Sequence, residues 1–155
     1  VQSMTKFFAL PGLRLGFGVA VPELCRSLEA GKDVWNVNSL AQAAGIAALA
    51  DLEYQEAARR FVCGEKEFLA AELAKLSGIE VFAPSVNFIF FRLRQGNDFL
   101  QRLLAALRQR GILLRDCSNY PGLSGAYLRT AVRCREENER LLSAMQAIWK
   151  ELDAI

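Results

Sequence analysis

The sequence predicts a chain of the α/β class, in which residues 77–155 form a smaller unit of the α+β type. Three observations lead to this prediction. Apolar runs of strand length alternate with amphipathic helical segments along the chain. A long helical segment, residues 51–76, divides it. After that segment the elements follow in the order strand, strand, helix, strand, strand, helix, which is typical of a compact sandwich with a short, largely antiparallel sheet.

The first part of the chain predicts a strand and a short helix. Residues 13–21 (LRLGFGVAV) are apolar on both faces, Arg14 apart, as in a strand that is buried on both sides of a sheet. Pro22 favours the start of a helix and Gly31 favours its end, so we expect a helix over about residues 23–30.

Two longer helices follow. Ser39 and Gln42 have the spacing of a capping box, which predicts an alanine-rich helix to about residue 50 that packs closely against a sheet. Asp51 should cap the next helix, which runs to about residue 76 and is long enough to lead from one domain into another. Its apolar face is predicted from residues that return at near-helical spacing: Tyr54, Ala58, Phe61, Phe68 or Leu69, and Leu76.

The small unit is predicted element by element from residue 77 onward. Strands are expected where apolar runs are bounded by turn residues: 79–82, 87–93, 112–115 and 127–132. Asn97 or Asp98 should cap the first helix. The apolar face of that helix comprises Phe99, Leu100, Leu103, Leu104 and Leu107. The closing helix, residues 136–152, carries one stripe of Leu141, Met145, Ile148 and Leu152, with Leu142 and Trp149 beside it.

Composition narrows the functional classes. The 155 residues are 52% hydrophobic and 23% charged, with a net charge of +2, which is typical of a globular protein and not of a nucleic-acid or membrane-surface binder. No apolar run approaches the roughly 18 residues of a membrane span. The absence of histidine excludes histidine triads and histidine metal sites, and we expect no metal. The four cysteines have neither C-x-x-C spacing nor the pattern of a disulfide framework, which favours a reducing cytoplasm.

One short stretch carries the residue types of an active site. Lys6 is the only lysine before Lys32, and it is flanked by hydroxyls and aromatic residues. Apolar surroundings would disfavour the charged form of its amine and make it a usable nucleophile. Ser3 and Arg14 supply a hydroxyl and a planar guanidinium, which together suit a phosphate, and an amine beside a phosphate site is what a Schiff base with pyridoxal phosphate (PLP) requires. The alternative is that these are ordinary surface residues.

Two arginines stand at informative places in the small unit. Arg115 ends a predicted strand and opens a turn-rich loop, and Arg129 lies inside the strand predicted at residues 127–132. An arginine in a strand interior is costly to bury without a partner, so Arg129 should bind an anion. Two alternatives remain open, which are an edge strand with Arg129 in water and a salt bridge to a neighbouring carboxylate.

These motifs resemble those of a known family. Ser3-x-x-Lys6, followed by Gly12-Leu13-Arg14-Leu15-Gly16, resembles the Schiff-base lysine segment of the fold-type I PLP enzymes of the aminotransferase class I/II group. The whole chain resembles the C-terminal half of the histidinol-phosphate aminotransferase-like members. Three strings are most similar to the threonine-phosphate decarboxylases of cobalamin biosynthesis: residues 35–44 (WNVNSLAQAA), 115–123 (RDCSNYPGL) and 129–138 (RTAVRCREEN).

The resemblance implies a division of the fold. Residues 1–50 would be a remnant of the large PLP-binding domain, residues 51–76 the helix between domains, and residues 77–155 the small C-terminal α/β sandwich domain. The other cofactor-binding residues of the family belong to an N-terminal half, so we expect this chain to be a fragment that is inactive alone and binds PLP poorly. Cys134 stands where the family usually has a threonine cap, so that helix start should be less stable.

The resemblance also implies roles for five residues. Lys6 would be catalytic, and Ser3, Lys6 and Arg14 would bind the cofactor. Arg129 would bind the substrate carboxylate, and Arg115 would help hold the substrate phosphate. The predicted enzyme is a PLP-dependent decarboxylase of L-threonine-O-3-phosphate that works as a cytoplasmic homodimer. The alternatives are a histidinol-phosphate or other class I/II aminotransferase, and a non-catalytic α/β binding module.

Overall fold

A computed structural model of the chain describes residues 1–153 and forms two compact units, Val1–Arg59 and Arg60–Ile155. The last two residues of the predicted small domain, 154 and 155, lie outside the described residues. The combination of helices and sheets confirms the predicted α/β class. The three-part division at residues 50 and 76 stays a prediction. No helix within residues 1–153 is long and apolar enough to cross a membrane.

The first unit contains a two-stranded sheet. Strand β1 (Gln2–Ser3) pairs antiparallel with strand β2 (Gly16–Phe17). The predicted buried strand over residues 13–21 is wrong, because only two of these residues form a strand and both are exposed. A strand is buried on both faces only when layers cover both sides of its sheet, and β2 has β1 as its one partner strand in the described sheet.

The helices of this unit are α1 (Pro22–Gly31) and α2 (Ser39–Ala50). Both helices were predicted, but the capping box of Ser39 and Gln42 is wrong. Asn38 is the N-cap, and its Oδ1 accepts a hydrogen bond from Ala41 N at 2.8 Å. Ser39 already belongs to the first turn, and the Gln42 side chain instead donates to Val37 O at 3.0 Å.

The small residues of α2 allow close packing. Ala41 is fully buried and Gly45 is also buried. A methyl group added at Gly45 would lie 2.5 Å from Leu15 Cδ2, so no larger residue fits there unless Leu15 moves. Helix α2 is therefore packed against the segment that leads into β2.

Helix α3 (Leu52–Ala74) crosses the boundary between the units, which falls after Arg59. Its cap was predicted correctly, since Asp51 Oδ1 accepts a hydrogen bond from Tyr54 N at 2.9 Å. The predicted apolar face is partly wrong, because Phe61 is 51% exposed. The buried residues of α3 are Glu65, Leu69 and Leu73. Their spacing of four places them in one row, and the two leucines join the core of the second unit.

The second unit is built on a four-stranded sheet. Its elements are β3 (Ile79–Val81), β4 (Phe88–Leu93), α4 (Asn97–Gln109), β5 (Arg115–Asp116), β6 (Ala126–Ala131) and α5 (Arg135–Asp153). The strands lie in the order β3-β4-β6-β5, and every described pair is antiparallel. The predicted order of elements is confirmed, although β5 begins where its predicted strand ends. Gly96, and not Asn97 or Asp98, is the N-cap of α4; its φ of +87° favours glycine.

The core of this unit lies on one face of the sheet. On β4 the inward residues Ile89, Phe91 and Leu93 are buried and alternate with more exposed ones. All five residues of the predicted apolar face of α4 are buried, which confirms that face. Helix α5 contributes buried residues that were also predicted: Leu141, Leu142, Met145, Ile148 and Trp149. The other face of the sheet remains accessible, and it carries the arginines of the candidate site.

Candidate functional site

The segment that joins β1 to β2, residues 4–15, contains Lys6 and is here called the lysine loop. Three backbone hydrogen bonds close it: Met4 N to Leu15 O at 3.1 Å, Ala9 N to Lys6 O at 3.2 Å, and Leu10 N to Met4 O at 3.3 Å. Since the carbonyl of Lys6 is itself bonded, the lysine lies in a folded turn and not in an open connection.

The apolar residues of the lysine loop anchor it and leave the lysine at the surface. Met4 and Phe8 are buried, with 1% and 8% of their surface exposed, whereas Lys6 is exposed. The expectation that apolar neighbours surround the amine is therefore wrong in the described chain. Apolar residues that are adjacent in sequence place their own side chains in the core and do not cover the lysine.

The strand register places Ser3 in the same hairpin as Arg14. Ser3 lies opposite Gly16, two residues after Arg14. Its hydroxyl donates to Thr5 Oγ1 at 2.8 Å and accepts from Thr5 N at 3.2 Å. Gly16 is needed for this pairing, because an added methyl group would lie 2.9 Å from Gln2 O. The hydroxyls of Ser3 and Thr5 are therefore hydrogen-bonded to each other one residue before Lys6.

Two non-glycine residues of the lysine loop have a left-handed backbone. The φ angle is +51° at Ala9 and +52° at Arg14. Such conformations cost on the order of 1–3 kcal/mol each and cluster at binding sites. Arg14 Nη1 donates to Pro11 O at 3.3 Å, and the side chain is otherwise exposed, so its remaining donors are open to an anion.

Two residues of α3 that the sequence did not single out for the site hold the residue after the lysine. Tyr54 Oη donates to Phe7 O at 3.0 Å, and the two rings meet edge to face with centroids 6.4 Å apart. The Arg59 guanidinium lies 5.4 Å from the centroid of the Phe7 ring. The helical spacing placed Tyr54 on an apolar face, and nothing in the sequence linked it to a residue 47 positions earlier.

The structure brings Arg115 and Arg129 together. They are opposite each other in the β5–β6 pair, so both side chains belong to the same face of the sheet. The Arg129 guanidinium lies 4.7 Å from the Phe88 ring centroid, and that of Arg115 lies 5.7 Å from the Tyr120 ring centroid. Neither forms an ion pair with any of residues 1–152. Two like charges directly opposite each other in a sheet are destabilising unless something compensates them.

The position of Arg129 in the sheet bears on the two alternatives to anion binding. Strand β6 lies between β4 and β5, so Arg129 is not on an edge strand. Its side chain is half-buried, and no carboxylate in the described part of the chain pairs with it. The edge-strand alternative is therefore wrong, and no salt bridge to a carboxylate is found among the described residues. That Arg129 binds an anion stays a prediction.

The residues after Arg115 fix the start of the turn-rich loop. Asp116 accepts hydrogen bonds from Ser118 N at 2.9 Å and from Gln101 Nε2 at 3.4 Å. Partial burial raises the pKa of the Asp116 carboxyl, but the hydrogen bonds from Ser118 and Gln101 and the charge of Arg115 outweigh it, so the pKa lies below its ordinary value. Cys117 is fully buried, and its Sγ donates to Arg115 O at 3.6 Å.

A buried polar network lies beyond the end of β6. Glu65 is 8% exposed and accepts from Arg135 Nε at 3.0 Å and from Asn138 Nδ2 at 2.9 Å. Asn138 Nδ2 also donates to Arg133 O at 2.8 Å, and its Oδ1 accepts from Arg133 N at 3.1 Å. The hydrogen bond from Arg135 holds the pKa of the Glu65 carboxyl below its ordinary value. Residues 129–138 include Arg133, Arg135 and Asn138 of this network, but nothing in the sequence linked them to Glu65 on α3.

The start of α5 carries a second carboxylate cluster. Glu137 accepts from Arg133 Nη2 at 2.7 Å and from Cys134 Sγ at 3.1 Å. The hydrogen bond from Arg133 is the largest cause that lowers the pKa of Glu137 to about 2. The Cys134 thiol is thus hydrogen-bonded to Glu137, the residue that would complete a capping box with a threonine at position 134.

Comparison with protein families matches residues 1–148 to the model for aminotransferase class I and II. A putative threonine-phosphate decarboxylase of Caldanaerobacter subterraneus is 37% identical over 151 residues, which are 97% of this chain and 41% of the relative. The threonine-phosphate decarboxylase of Salmonella typhimurium is 38% identical over 96% of this chain and 40% of its own length. The chain therefore spans about two fifths of these relatives.

Solved structures similar to this chain include proteins with the same kinds of names. The histidinol-phosphate aminotransferase from Clostridium acetobutylicum superposes with a TM-score of 0.88 at 32% identity, over 96% of this chain and 44% of that one. The L-threonine-O-3-phosphate decarboxylase from Porphyromonas gingivalis has a TM-score of 0.80 at 26% identity, over 96% and 45%. Both likenesses cover nearly all of this chain and less than half of the other protein.

Proposed function

Because this chain belongs to the aminotransferase class I and II family, we propose that it is part of a PLP-dependent enzyme that acts on a phosphorylated amino acid. The reaction we propose is the decarboxylation of L-threonine-O-3-phosphate. One observation carries this choice, which is the pair Arg115 and Arg129 on one sheet face without a carboxylate partner among the described residues. A substrate with both a phosphate and a carboxylate supplies an anion for each guanidinium.

The lysine loop has a donor set that fits PLP. An amine is needed to bind the aldehyde, and a hydroxyl and a guanidinium suit the phosphate. Lys6, Ser3 and Arg14 are all exposed and lie in or beside one hairpin. We assign Lys6 to the covalent attachment and Ser3 and Arg14 to the phosphate. When bound, the cofactor supplies an electron sink that stabilises negative charge at the substrate α-carbon.

The chain's own residues then have separate tasks. Arg129 binds the substrate carboxylate through its planar fork, and Arg115 binds the phosphate. Fixing both ends of the substrate sets its orientation, and orientation selects which bond at the α-carbon breaks. Lys6 Nζ, once free of the cofactor, can hold or deliver a proton near the α-carbon.

A second candidate is histidinol-phosphate aminotransferase. It is supported by the higher TM-score, 0.88 against 0.80, of the solved structure with that name. A relative of that name from Caldanaerobacter subterraneus is 32% identical over 96% of this chain. The two candidates share the cofactor and a phosphorylated substrate, and they differ in the bond that is broken.

One experiment separates the candidates. The full-length protein that contains this chain is incubated with PLP and L-threonine-O-3-phosphate, and both released carbon dioxide and keto product are measured. Stoichiometric carbon dioxide without keto product is expected. Transfer of the amino group from histidinol phosphate to a keto acid, with no carbon dioxide from the first substrate, would identify the aminotransferase instead.

The remaining assignments are also proposals. We propose that the full-length protein is a homodimer, by analogy with the family, and that it works in the cytoplasm. Cys25, Cys63, Cys117 and Cys134 are all free thiols, which is compatible with a reducing compartment. The 155-residue chain alone should be inactive, because it spans about two fifths of the relatives' length.

A further inference from the structure

We propose that Tyr54 is a positioning residue for Lys6, acting through the backbone of the lysine loop. This inference rests on the proposed role of Lys6 as the cofactor lysine. Tyr54 lies in the first turn of α3, and its hydroxyl donates to Phe7 O at 3.0 Å, a distance within the range of an ordinary hydrogen bond. Phe7 is the residue next to Lys6 in the chain.

The contact completes a set of three bonds around the lysine. The carbonyls of Met4 and Lys6 accept from the N–H groups of Leu10 and Ala9. The carbonyl of Phe7 is held by a side chain from another element, the Tyr54 hydroxyl. Backbone bonds within the loop therefore hold two of these three carbonyls, and Tyr54 ties the third to a long helix.

The ring of Phe7 is held from the same helix. Tyr54 contacts it edge to face, and Arg59 lies 5.4 Å from its centroid. Phe7 also meets the buried Phe8 at a centroid distance of 4.9 Å with the rings nearly perpendicular. Both the backbone and the side chain of Phe7 are thus fixed, which limits the directions in which the Lys6 side chain can leave the loop.

The position of Tyr54 argues against a role in the core. Tyr54 is 41% exposed, whereas the buried apolar residues of this unit are Met4, Phe8 and Ala41. An exposed tyrosine whose hydroxyl reaches a residue 47 positions away adds little to burial. The Tyr54 hydroxyl instead restrains the lysine loop, whose backbone is strained at Ala9, where φ is +51°.

The test compares Tyr54→Phe with the wild type in the full-length protein. This change keeps the ring and removes only the hydroxyl. Tyr127→Phe is the matched control, since the Tyr127 hydroxyl makes no hydrogen bond with residues 1–152. Hydrogen–deuterium exchange of the amides of residues 6–10 is measured without cofactor, and the pH midpoint of the absorbance of the Lys6-bound cofactor is measured with PLP.

In Tyr54→Phe we expect the lysine-loop amides to exchange about fivefold faster, the factor for the loss of one ordinary hydrogen bond. We also expect a displaced pH midpoint and unchanged global unfolding, with neither effect in Tyr127→Phe. A wild type that binds PLP and a Tyr54→Phe variant identical to it in both readouts would overturn the positioning role alone. A wild type that never forms the Lys6-bound absorbance would overturn the proposed function, and this role with it.

Discussion

Arg115 and Arg129 lie directly opposite each other on β5 and β6, so two guanidinium groups share one sheet face with no carboxylate from residues 1–152 paired to either. Like charges directly opposite each other in a sheet repel and are destabilising. A ligand that carries two anionic groups removes the repulsion and gains charge-assisted hydrogen bonds. The proposed role of the pair is therefore in binding and not in stability.

Arg129→Gln should damage substrate use without damaging the fold. Hydrogen bonds between charged groups contribute roughly 1.5–3 kcal/mol each, so loss of a two-bond fork should lower kcat/KM by about 100-fold or more. Arg129→Lys should fall in between, since lysine keeps the charge and loses the fork. Steady-state kinetics of the full-length protein measure this, and a melting temperature that does not fall rules out misfolding as the cause.

Lys6→Ala should abolish the absorbance of a lysine-bound cofactor at the border of the visible and ultraviolet. The amine is the proposed attachment point, and alanine cannot replace it. Lys32→Ala is the control, because Lys32 is an exposed lysine in an ion pair with Glu29 on α1. Persistence of the band in Lys6→Ala would show that another amine holds the cofactor.

Two glycines of the same motif should respond differently to alanine. A methyl group at Gly16 would meet Gln2 O at 2.9 Å, whereas one at Gly12 meets nothing within 4 Å. Gly16→Ala should therefore disrupt the β1–β2 pairing, and Gly12→Ala should leave it intact. Amide exchange of residues 2–4 reports the difference. Equal protection in both variants would contradict the described register.

Glu65→Ala should destabilise the second unit more than Glu67→Ala. The buried carboxylate of Glu65 satisfies Arg135 and Asn138, and its removal leaves the buried Asn138 amide with one partner fewer. Glu67 lies on the same helix but is exposed. Thermal unfolding of both variants gives the comparison, and a smaller loss for Glu65→Ala would show that the network contributes little.

The cluster at Glu137 predicts a pH dependence in acid. Its pKa of about 2 in the folded chain lies below the ordinary value of about 4.3 expected when unfolded. The group therefore stabilises the fold fully above that ordinary value, and its contribution disappears as the pH falls toward 2. Glu137→Gln should flatten the unfolding free energy over this interval in urea titrations. The exposed neighbour Glu139→Gln is the control, and an equally flat curve for it would remove the assignment to Glu137.

The sequence predicted best where one helix face meets one core. The apolar face of α4 repeats at helical spacing over a single core, and all five predicted residues are buried. The same reasoning fails for helix α3, because this helix passes from one unit to the next. Its buried residues, Glu65, Leu69 and Leu73, all lie beyond residue 60. Asn38 and Ser39 are adjacent and could each cap α2, and residue spacing alone does not show which of them is the N-cap.

The sequence identified individual residues of the candidate site, but it did not predict which of them contact each other. The motifs identified Lys6, Arg115 and Arg129, and their roles remain proposals. The register that sets Arg115 opposite Arg129 depends on how the turn-rich loop between β5 and β6 folds, which composition does not determine. The bond from Tyr54 to Phe7 O joins residues 47 positions apart, and such a contact leaves no local signal.

The buried thiol of Cys117 can be used to detect local opening of the second unit. It is fully buried, whereas Cys25, Cys63 and Cys134 are exposed. In a brief pulse of alkylating reagent, three thiols should react at once and the fourth only when the unit opens around the loop after Arg115. Mass spectrometry of the peptide that contains Cys117 would thus time that opening without any engineered label. Slower alkylation in the presence of substrate would show that binding at the paired arginines keeps the unit closed.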